Sequence, residues 1–160
     1  MKLFVSDSEG NYAPASDKIV MEAARYAAEK KLSRRGLTFS GPQATKQYIP
    51  VLLGGLDYEV FCVAYLDNRH KLIEFQQLFR GTIAGCSVHP REIVKETIKL
   101  EAAAVILFHN HPCGDPTPSN ADELITRRIK EALAMIDVRL LDHIIVTGGM
   151  IRSMADMGLI

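Results

Sequence analysis

Cysteine is scarce in this sequence of 160 residues, which holds only Cys62, Cys86 and Cys113, all widely separated. An odd number of cysteines at such spacing indicates neither a disulfide framework nor a zinc site of the Cys-x-x-Cys kind. Long apolar runs are also absent: none approaches the ~20 residues that cross a bilayer, and the N-terminus lacks the apolar core of a signal peptide. We therefore expect a cytoplasmic protein without a membrane-spanning segment.

Net charge is absent as well, because 19 Lys and Arg balance 19 Asp and Glu. A balanced sequence carries no global electrostatic signature for nucleic acid. Its one basic cluster, Lys30-Lys31 with Arg34-Arg35, follows a predicted helix, whose C-terminus favours cations through the helix dipole alone. A DNA partner is therefore weakly supported. A hydrophobic content of 48% and a charged content of 24% are ordinary for a globular protein of one domain.

Hydrophobic periodicity predicts alternating helices and strands with no internal repeat. Ser16 caps a predicted helix that reaches about residue 32, and further helices are predicted over residues 42–49, ended by Pro50, over 90–100, and from Ser119 to about 136. Strands are predicted over residues 57–66, 71–79, 82–88, 102–108, 138–147 and 150–153, and a loop leads up to Pro14. This order predicts an α/β fold: a mixed central β-sheet flanked by helices, preceded by a short helical N-terminal extension over residues 1–40.

The most informative residues are His109 and His111, which follow the apolar run over residues 102–108. Residues i and i+2 of a strand point to one face, so both imidazoles should leave the strand end on the same side. Asp122 lies in the first turn of the next helix, whose start is signalled by Ser119 three residues earlier. Two imidazoles and one carboxylate can hold a metal ion and keep a position for water, which is typical of catalytic rather than structural zinc sites. The pattern indicates metal-dependent hydrolysis.

Ser119 and Asp122 also fit a structural role, because a Ser-x-x-Asp pair is a common helix capping box. The two roles are compatible, since the helix dipole stabilises an anion at the N-terminus while that anion offers another oxygen to a metal. A lone histidine is more often structural than ligating, and His70, His89 and His143 lack neighbours at ligand spacing. We therefore assign these three histidines structural roles.

The spacing of the candidate ligands resembles that of a known family. His-x-His-Pro, six residues and then Ser-x-x-Asp resembles the JAMM signature of MPN-type metallohydrolases, and residues 109–119 resemble the RadC branch of that family. Further similarity lies in Tyr58-Glu59-Val60-Phe61, Leu78-Phe79-Arg80-Gly81-Thr82, Pro90-Arg91-Glu92 and Leu141-Asp142-His143, so that about residues 41–160 are covered. The chain is therefore identified as a member of the RadC-like JAB/JAMM family. We expect a short form without the N-terminal helix-hairpin-helix segment of longer relatives.

The resemblance implies a cytidine-deaminase-like JAB/MPN domain with the activity of a zinc metallopeptidase. One zinc ion per chain would be held by His109, His111 and Asp122. Glu59 aligns with the family's glutamate and would act as the general base that takes a proton from the attacking water. Ser119 would donate a hydrogen bond to the oxyanion. The implied substrate is a peptide or protein amide, cleaved at a peptide or isopeptide bond, and a homo-oligomer is left open.

The sequence departs from the pattern of the family in two places. Related sequences often carry acidic residues directly before Leu-Phe-Arg-Gly-Thr, where this chain has Gln76 and Gln77. No acid at those two positions can therefore be the base, and Glu74, which also lies on a predicted strand of this region, is the alternative to Glu59. Cys113 stands where most RadC-like sequences have serine, and both a near-isosteric replacement and a thiol that binds the metal stay open.

Two other functions stay open from the sequence. One is a non-catalytic module of DNA repair or mobile-element DNA metabolism, which the historical link of the RadC family with DNA repair suggests. The neutral charge and the presence of all five residues that hydrolysis needs argue against it. The other is a mononuclear iron site, which shares the ligand set of two histidines and one carboxylate. The wider resemblance does not support it.

Overall fold

The computed structural model describes residues 3–6, 8–38, 42–81 and 88–160. Its elements are β1 (Phe4–Ser6), β2 (Tyr12–Pro14), α1 (Asp17–Leu32), α2 (Pro42–Leu53), β3 (Val60–Leu66), β4 (Leu72–Arg80), α3 (Pro90–Lys99), β5 (Ala104–Asn110), α4 (Asn120–Ala134), β6 (Arg139–Val146) and β7 (Ile151–Ser153). The predicted α/β fold with a mixed sheet flanked by helices is confirmed. No helix among the described residues is both long and apolar enough to cross a bilayer.

The central sheet has the strand order β4-β3-β5-β6-β7. β3 is antiparallel to β4 and β5, β5 is parallel to β6, and β7 returns antiparallel to β6. β3 and β5 are buried along their whole length, which agrees with helices on both faces and with an apolar sequence throughout β3 and as far as Phe108 in β5. In this register Phe61 of β3 lies opposite His109 of β5.

One face of the sheet is covered by α1 and α2. Leu32 of α1 and Ile49 and Leu53 of α2 are almost fully buried in one cluster with Cys62 of β3. Full burial of an aliphatic side chain contributes roughly 1.5–3 kcal/mol. The predicted end of α2 at Pro50 is wrong, because the helix continues to Leu53. In the turn that follows Pro50, Leu53 is buried and Leu52 is half-buried against the same cluster, and this burial helps to offset the ~3 kcal/mol that an interior proline costs.

The opposite face carries α3 and α4 and positions the candidate site. Phe61 of β3 lies in a second cluster with Ile93 of α3 and Ile129 of α4. Directly opposed residues of an antiparallel pair project to the same face, so His109 projects toward α4 together with Phe61. The end of β5 therefore meets the start of α4.

Strand boundaries at this end of the sheet differ from the predicted ones by two or three residues. β3 begins at Val60, so Glu59 precedes the strand, and β5 extends to Asn110, so His109 lies within it. The main chain of His109 is consequently held by pairing with β3 and β6. That pairing fixes the direction in which its imidazole leaves the sheet.

The predicted loop before α1 is also wrong, because Phe4–Ser6 and Tyr12–Pro14 pair as a two-stranded antiparallel hairpin. Gly10 in the connection has a φ of 85°, which favours glycine. Strands of three residues show too little alternation to be recognised in a sequence. Of the strand predicted over residues 82–88, residues 82–87 lie outside the described part of the chain.

Candidate metal centre

Two imidazoles meet at the end of β5. His109 is only 5% exposed, and its Nε2 lies 2.8 Å from Nε2 of His111. The expectation that both side chains leave the strand on one side is therefore confirmed. Nδ1 of His111 lies 2.7 Å from the main-chain carbonyl of Asp115, to which it donates. That hydrogen bond directs Nε2 of His111 toward His109.

Asp122 brings a carboxylate to the same point from the third residue of α4. Its Oδ1 lies 3.2 Å from Nε2 of His109, and its Oδ2 lies 3.5 Å from Nε2 of His111. Ligand atoms of these three residues all lie within 4.8 Å of one another, and within the described ranges no other residue joins the group. The exposed Cys113 is thus outside it. The predicted convergence of His109, His111 and Asp122 is confirmed.

Ser119 and Asp122 form a complete capping box at the start of α4. The main-chain N–H of Ser119 donates to Oδ2 of Asp122 at 2.8 Å, and the main-chain N–H of Asp122 donates to Oγ of Ser119 at 3.2 Å. The hydroxyl of Ser119 also donates to Oδ2 of Asp122 at 2.6 Å. Because a serine has one hydroxyl proton, the expected donation to an oxyanion requires this hydroxyl to rotate away from Asp122.

The charges of the site suit a cation. Burial raises the pKa of Asp122, but its close contacts with the imidazoles of His109 and His111 outweigh burial and hold this pKa well below its usual range. Asp122 is therefore a carboxylate at every physiological pH. The hydrogen bond to Asp122 raises the pKa of His111 to about 9.

The donor set fits zinc. Two imidazole nitrogens and a carboxylate oxygen are ligands that zinc takes, and three protein ligands leave a fourth position for water or substrate. Metal-binding histidines usually donate their second ring N–H to an outer partner. His111 has such a partner in the carbonyl of Asp115, and His109 has one in the ring of His143.

Glu59 borders the same site from the start of β3. Its carbonyl accepts from the main-chain N–H of Gly81 at 2.9 Å. Asn110, which lies between the two histidines, accepts from the N–H of Val60 at 2.8 Å and donates to the carbonyl of Tyr58 at 2.9 Å. The residues on both sides of Glu59 are thereby tied to the strand that carries the histidines.

A cleft of about 240 Å³ lies beside two of the three candidate ligands, His109 and Asp122. Glu59, His109 and Asp122 line it together with Phe61, Val88, Ala121, Leu124, Ile125 and Arg128. Its volume is below the ~300–1,000 Å³ of typical ligand pockets, so it has room for about one side chain. A larger cavity of about 460 Å³, lined by Arg25, Leu53 and Phe75 among others, contains none of the candidate ligands.

Glu74, the alternative base, lies far from this cleft. It is opposed to Tyr65 in the pairing of β3 with β4, whereas the residue of β3 opposed to His109 is Phe61. Four residues of strand separate the two positions, or about 13 Å at ~3.3 Å per residue. Glu74 is exposed and accepts a hydrogen bond from Gln76 at 2.7 Å. The register therefore favours Glu59 over Glu74.

His143, to which sequence analysis assigned a structural role, lies directly behind His109. It is fully buried on β6, with Nε2 2.8 Å from Nδ1 of His109 and Nδ1 2.5 Å from Oγ1 of Thr126. Burial lowers the pKa of His143 well below its ordinary value. Its spacing in the sequence carries no ligand signal. The contact arises because β6 lies beside β5 in parallel, an arrangement that spacing alone does not reveal.

Comparisons with known proteins agree on one family. A family model described as "RadC-like JAB domain" matches residues 39–159. A "UPF0758 protein" of Polaromonas sp. is 49% identical over 141 residues, which cover 88% of this chain and 62% of the relative. UPF0758 proteins of Vibrio cholerae and Nitrosococcus oceani are 48% and 51% identical, over 81% and 88% of this chain and 80% and 62% of the relatives. The chain thus spans less than two thirds of the Polaromonas and Nitrosococcus relatives.

We expect the purified protein to bind about one zinc ion per chain. His109→Ala and Asp122→Asn should each lose most of this zinc, because each removes one of three converging ligands while the asparagine preserves the shape of the capping box. Elemental analysis after dialysis measures the content. His89→Ala, at an exposed histidine that makes no capping hydrogen bond, is the matched control and should keep the metal. Unchanged zinc in either ligand variant would contradict the proposed centre.

Zinc binding should release a proton from His111 near neutral pH. Since the pKa of His111 is raised to about 9, its imidazole is protonated at pH 7, and a metal that takes Nε2 must displace that proton. Asp122 is already ionised and contributes none. The apparent zinc affinity should therefore rise as the pH increases from 6 toward 9, by up to about tenfold per unit. Competition with a chromophoric chelator at several pH values measures this slope, and a flat profile would show that His111 is not a ligand.

Proposed function

This chain belongs to the RadC-like JAB domain family, and from that premise we propose that it is a zinc-dependent hydrolase of the JAMM type. Its substrate would be a peptide or protein amide, cleaved at a peptide or isopeptide bond. The observation that carries the proposal is the convergence of His109, His111 and Asp122 beside a cleft that Glu59 also lines. Three ligands, a nearby carboxylate and room for a substrate group are the components that metal-assisted hydrolysis needs.

Zinc held by the three ligands would acidify a water molecule and polarise the substrate carbonyl. Glu59 would accept the proton of the attacking water and transfer it to the departing amine, a role typically worth ~10²–10⁴-fold in rate. Its main chain is held on both sides through Asn110, which limits how far the carboxylate can drift from the cleft. Precise placement of such a base matters because proton transfer requires hydrogen-bonding distance.

Ser119 would stabilise the oxyanion after its hydroxyl turns away from Oδ2 of Asp122. The main-chain N–H of Ser119 continues to donate to that oxygen, so the carboxylate keeps a partner while the hydroxyl rotates. Loss of one oxyanion donor at comparable sites costs ~10²–10³-fold. Ser119 would therefore serve both the helix cap and the reaction.

The cleft walls support an apolar side chain next to the scissile bond. Phe61, Leu124 and Ile125 supply apolar surface, and Arg128 adds a cation that suits a neighbouring carboxylate. A volume of about 240 Å³ limits the cleft to roughly one such side chain. We therefore favour a substrate with an apolar residue at this position.

We expect Glu59→Gln to keep zinc and to lose hydrolysis by ~10²–10⁴-fold, because the amide preserves shape but does not accept a proton. Turnover of a fluorogenic peptide library and elemental analysis measure the two effects. Glu74→Gln, far along the sheet, is the matched control and should retain activity. Loss of zinc from Glu59→Gln would make Glu59 a ligand, and full activity in this variant would exclude it as the base.

The alternative, a non-catalytic module of DNA metabolism, is equally compatible with family membership and makes opposite predictions. If the protein is a hydrolase, its duplex-DNA affinity should stay within the ~10⁻⁴–10⁻⁶ M of non-specific contacts. Amide hydrolysis should vanish with a chelator and return with zinc. Fluorescence anisotropy with labelled duplexes measures the affinity. Specific nanomolar binding that survives both chelation and Glu59→Gln would overturn the hydrolase proposal.

A further inference from the structure

Behind the candidate metal centre, a continuous chain of polar contacts runs through the protein interior. Nδ1 of His109 lies 2.8 Å from Nε2 of His143, and Nδ1 of His143 lies 2.5 Å from Oγ1 of Thr126. Oγ1 of Thr126 in turn donates to the main-chain carbonyl of Asp122 at 2.5 Å. His143 is 0% exposed and Thr126 is 1% exposed. This hydrogen-bond chain therefore starts at His109, the first candidate ligand, and ends at the main-chain carbonyl of Asp122, the third.

The direction of each hydrogen bond in this chain follows from its last acceptor. A main-chain carbonyl has no proton, so the hydroxyl of Thr126 donates to Asp122 and has no further proton to give. Oγ1 of Thr126 must then accept from Nδ1–H of His143. A fully buried imidazole without a carboxylate partner carries a single proton, so Nε2 of His143 is an acceptor. Nδ1 of His109 donates to it, which leaves Nε2 of His109 bare.

We propose that His143 and Thr126 are positioning residues that hold His109 in the tautomer whose bare Nε2 faces His111 and Asp122. This inference rests on the proposed metal centre, but not on hydrolysis. The hydrogen-bond chain also joins β6 to β5 and α4, the elements from which the candidate ligands His109 and Asp122 project. It therefore fixes both the protonation and the position of the first ligand relative to the third.

Helical threonines often donate to the carbonyl four residues earlier, so the hydrogen bond from Thr126 to the carbonyl of Asp122 would by itself indicate no special role. Thr97 of α3 shows the ordinary case: it is 1% exposed and donates to the carbonyl of Ile93 at 2.7 Å. Thr126 differs because its hydroxyl oxygen also accepts a hydrogen bond from Nδ1–H of His143. Its third neighbour, Sδ of Met154, lies farther away at 3.7 Å.

Aromatic packing keeps the two rings of the chain in place. The ring of Phe61 stacks on His109 with centroids 6.1 Å apart and meets His143 edge-on at 5.3 Å. Tilting either imidazole out of its present plane would disturb its contact with this buried side chain. Packing thus supports the orientation, while the hydrogen bonds select the tautomer.

Thr126→Val tests this hydrogen-bond chain with a nearly isosteric change that removes the acceptor of His143 together with the hydroxyl's own hydrogen bond to the carbonyl of Asp122. We expect zinc affinity, measured by chelator competition, to fall roughly 10–100-fold, as for other outer partners of metal-binding histidines. Thr126→Ser should restore it. Thr97→Val is the matched control, because it removes the same kind of buried helical hydrogen bond and should leave zinc affinity unchanged. An unchanged affinity in Thr126→Val would overturn the proposal.

The tautomer of His109 can be measured directly, and it should not change if Thr126 and His143 only stabilise the fold. In chelator-treated protein, long-range ¹H–¹⁵N correlation spectra should show His109 with a protonated Nδ1 and a bare Nε2. In Thr126→Val the same ring should become a mixture of tautomers, while Thr97→Val keeps the wild-type pattern. A protonated Nε2 on His109 in the wild type would overturn the proposal. Because this measurement needs no zinc, it tests the proposed tautomer of His109 independently of the proposed function.

His143 offers a second pair of variants. His143→Gln has a carbonyl for the Nδ1–H of His109 and an amide donor for Thr126, whereas His143→Leu fills similar space with neither. Zinc affinity should be largely retained in the first and fall at least tenfold in the second. Equal affinities in two folded variants, as judged by thermal melting, would overturn the proposal. If His143→Leu does not fold, the Thr126 series decides the question.

Discussion

The contact of one carboxylate with two imidazoles is the interaction on which this site depends. Asp122 belongs to the capping box that starts α4, and His109 and His111 stand at the end of β5. Through this contact the start of a helix is joined to the end of a central strand. The helix dipole favours the anion there, and the anion attracts the cation that the imidazoles would hold. The carboxylate that caps the helix is therefore the same one that would bind the metal.

Burial of so many polar groups is tolerable because each has a partner. His109 is hydrogen-bonded to His143, His143 to Thr126, and His111 to the carbonyl of Asp115. Among the described residues, the buried side-chain atoms without a hydrogen-bond partner are Nε of Arg25 and the hydroxyl of Tyr65, and neither belongs to the centre. An incomplete chain of this kind would cost more than an apolar core, because an unpaired polar atom loses its hydration without compensation.

Local sequence patterns were sufficient to predict the starts of two helices. Ser16 caps α1 and Ser119 caps α4 as expected, because a hydroxyl next to free main-chain N–H groups needs no distant partner. The local pattern predicted the wrong helix end at Pro50, because burial of neighbouring side chains in the core outweighs the helix-breaking effect of the proline. The choice between Glu59 and Glu74 also lay beyond local signals. Both precede or occupy strands, and only the pairing register shows which one lies near His109.

By itself, the sequence identified the candidate ligands and the family, since His109, His111 and Asp122 are close along the chain and their spacing relates directly to strand and helix geometry. Tertiary structure alone decided what stands behind those ligands. Thr126 and His143 lie 17 residues apart, and His143 reaches His109 across 34 residues because β6 packs in parallel beside β5. Short-range periodicity carries no information on which strands become neighbours. That choice depends on how helices and strands together bury their apolar faces, and it determines which nitrogen of His109 is free to bind a metal.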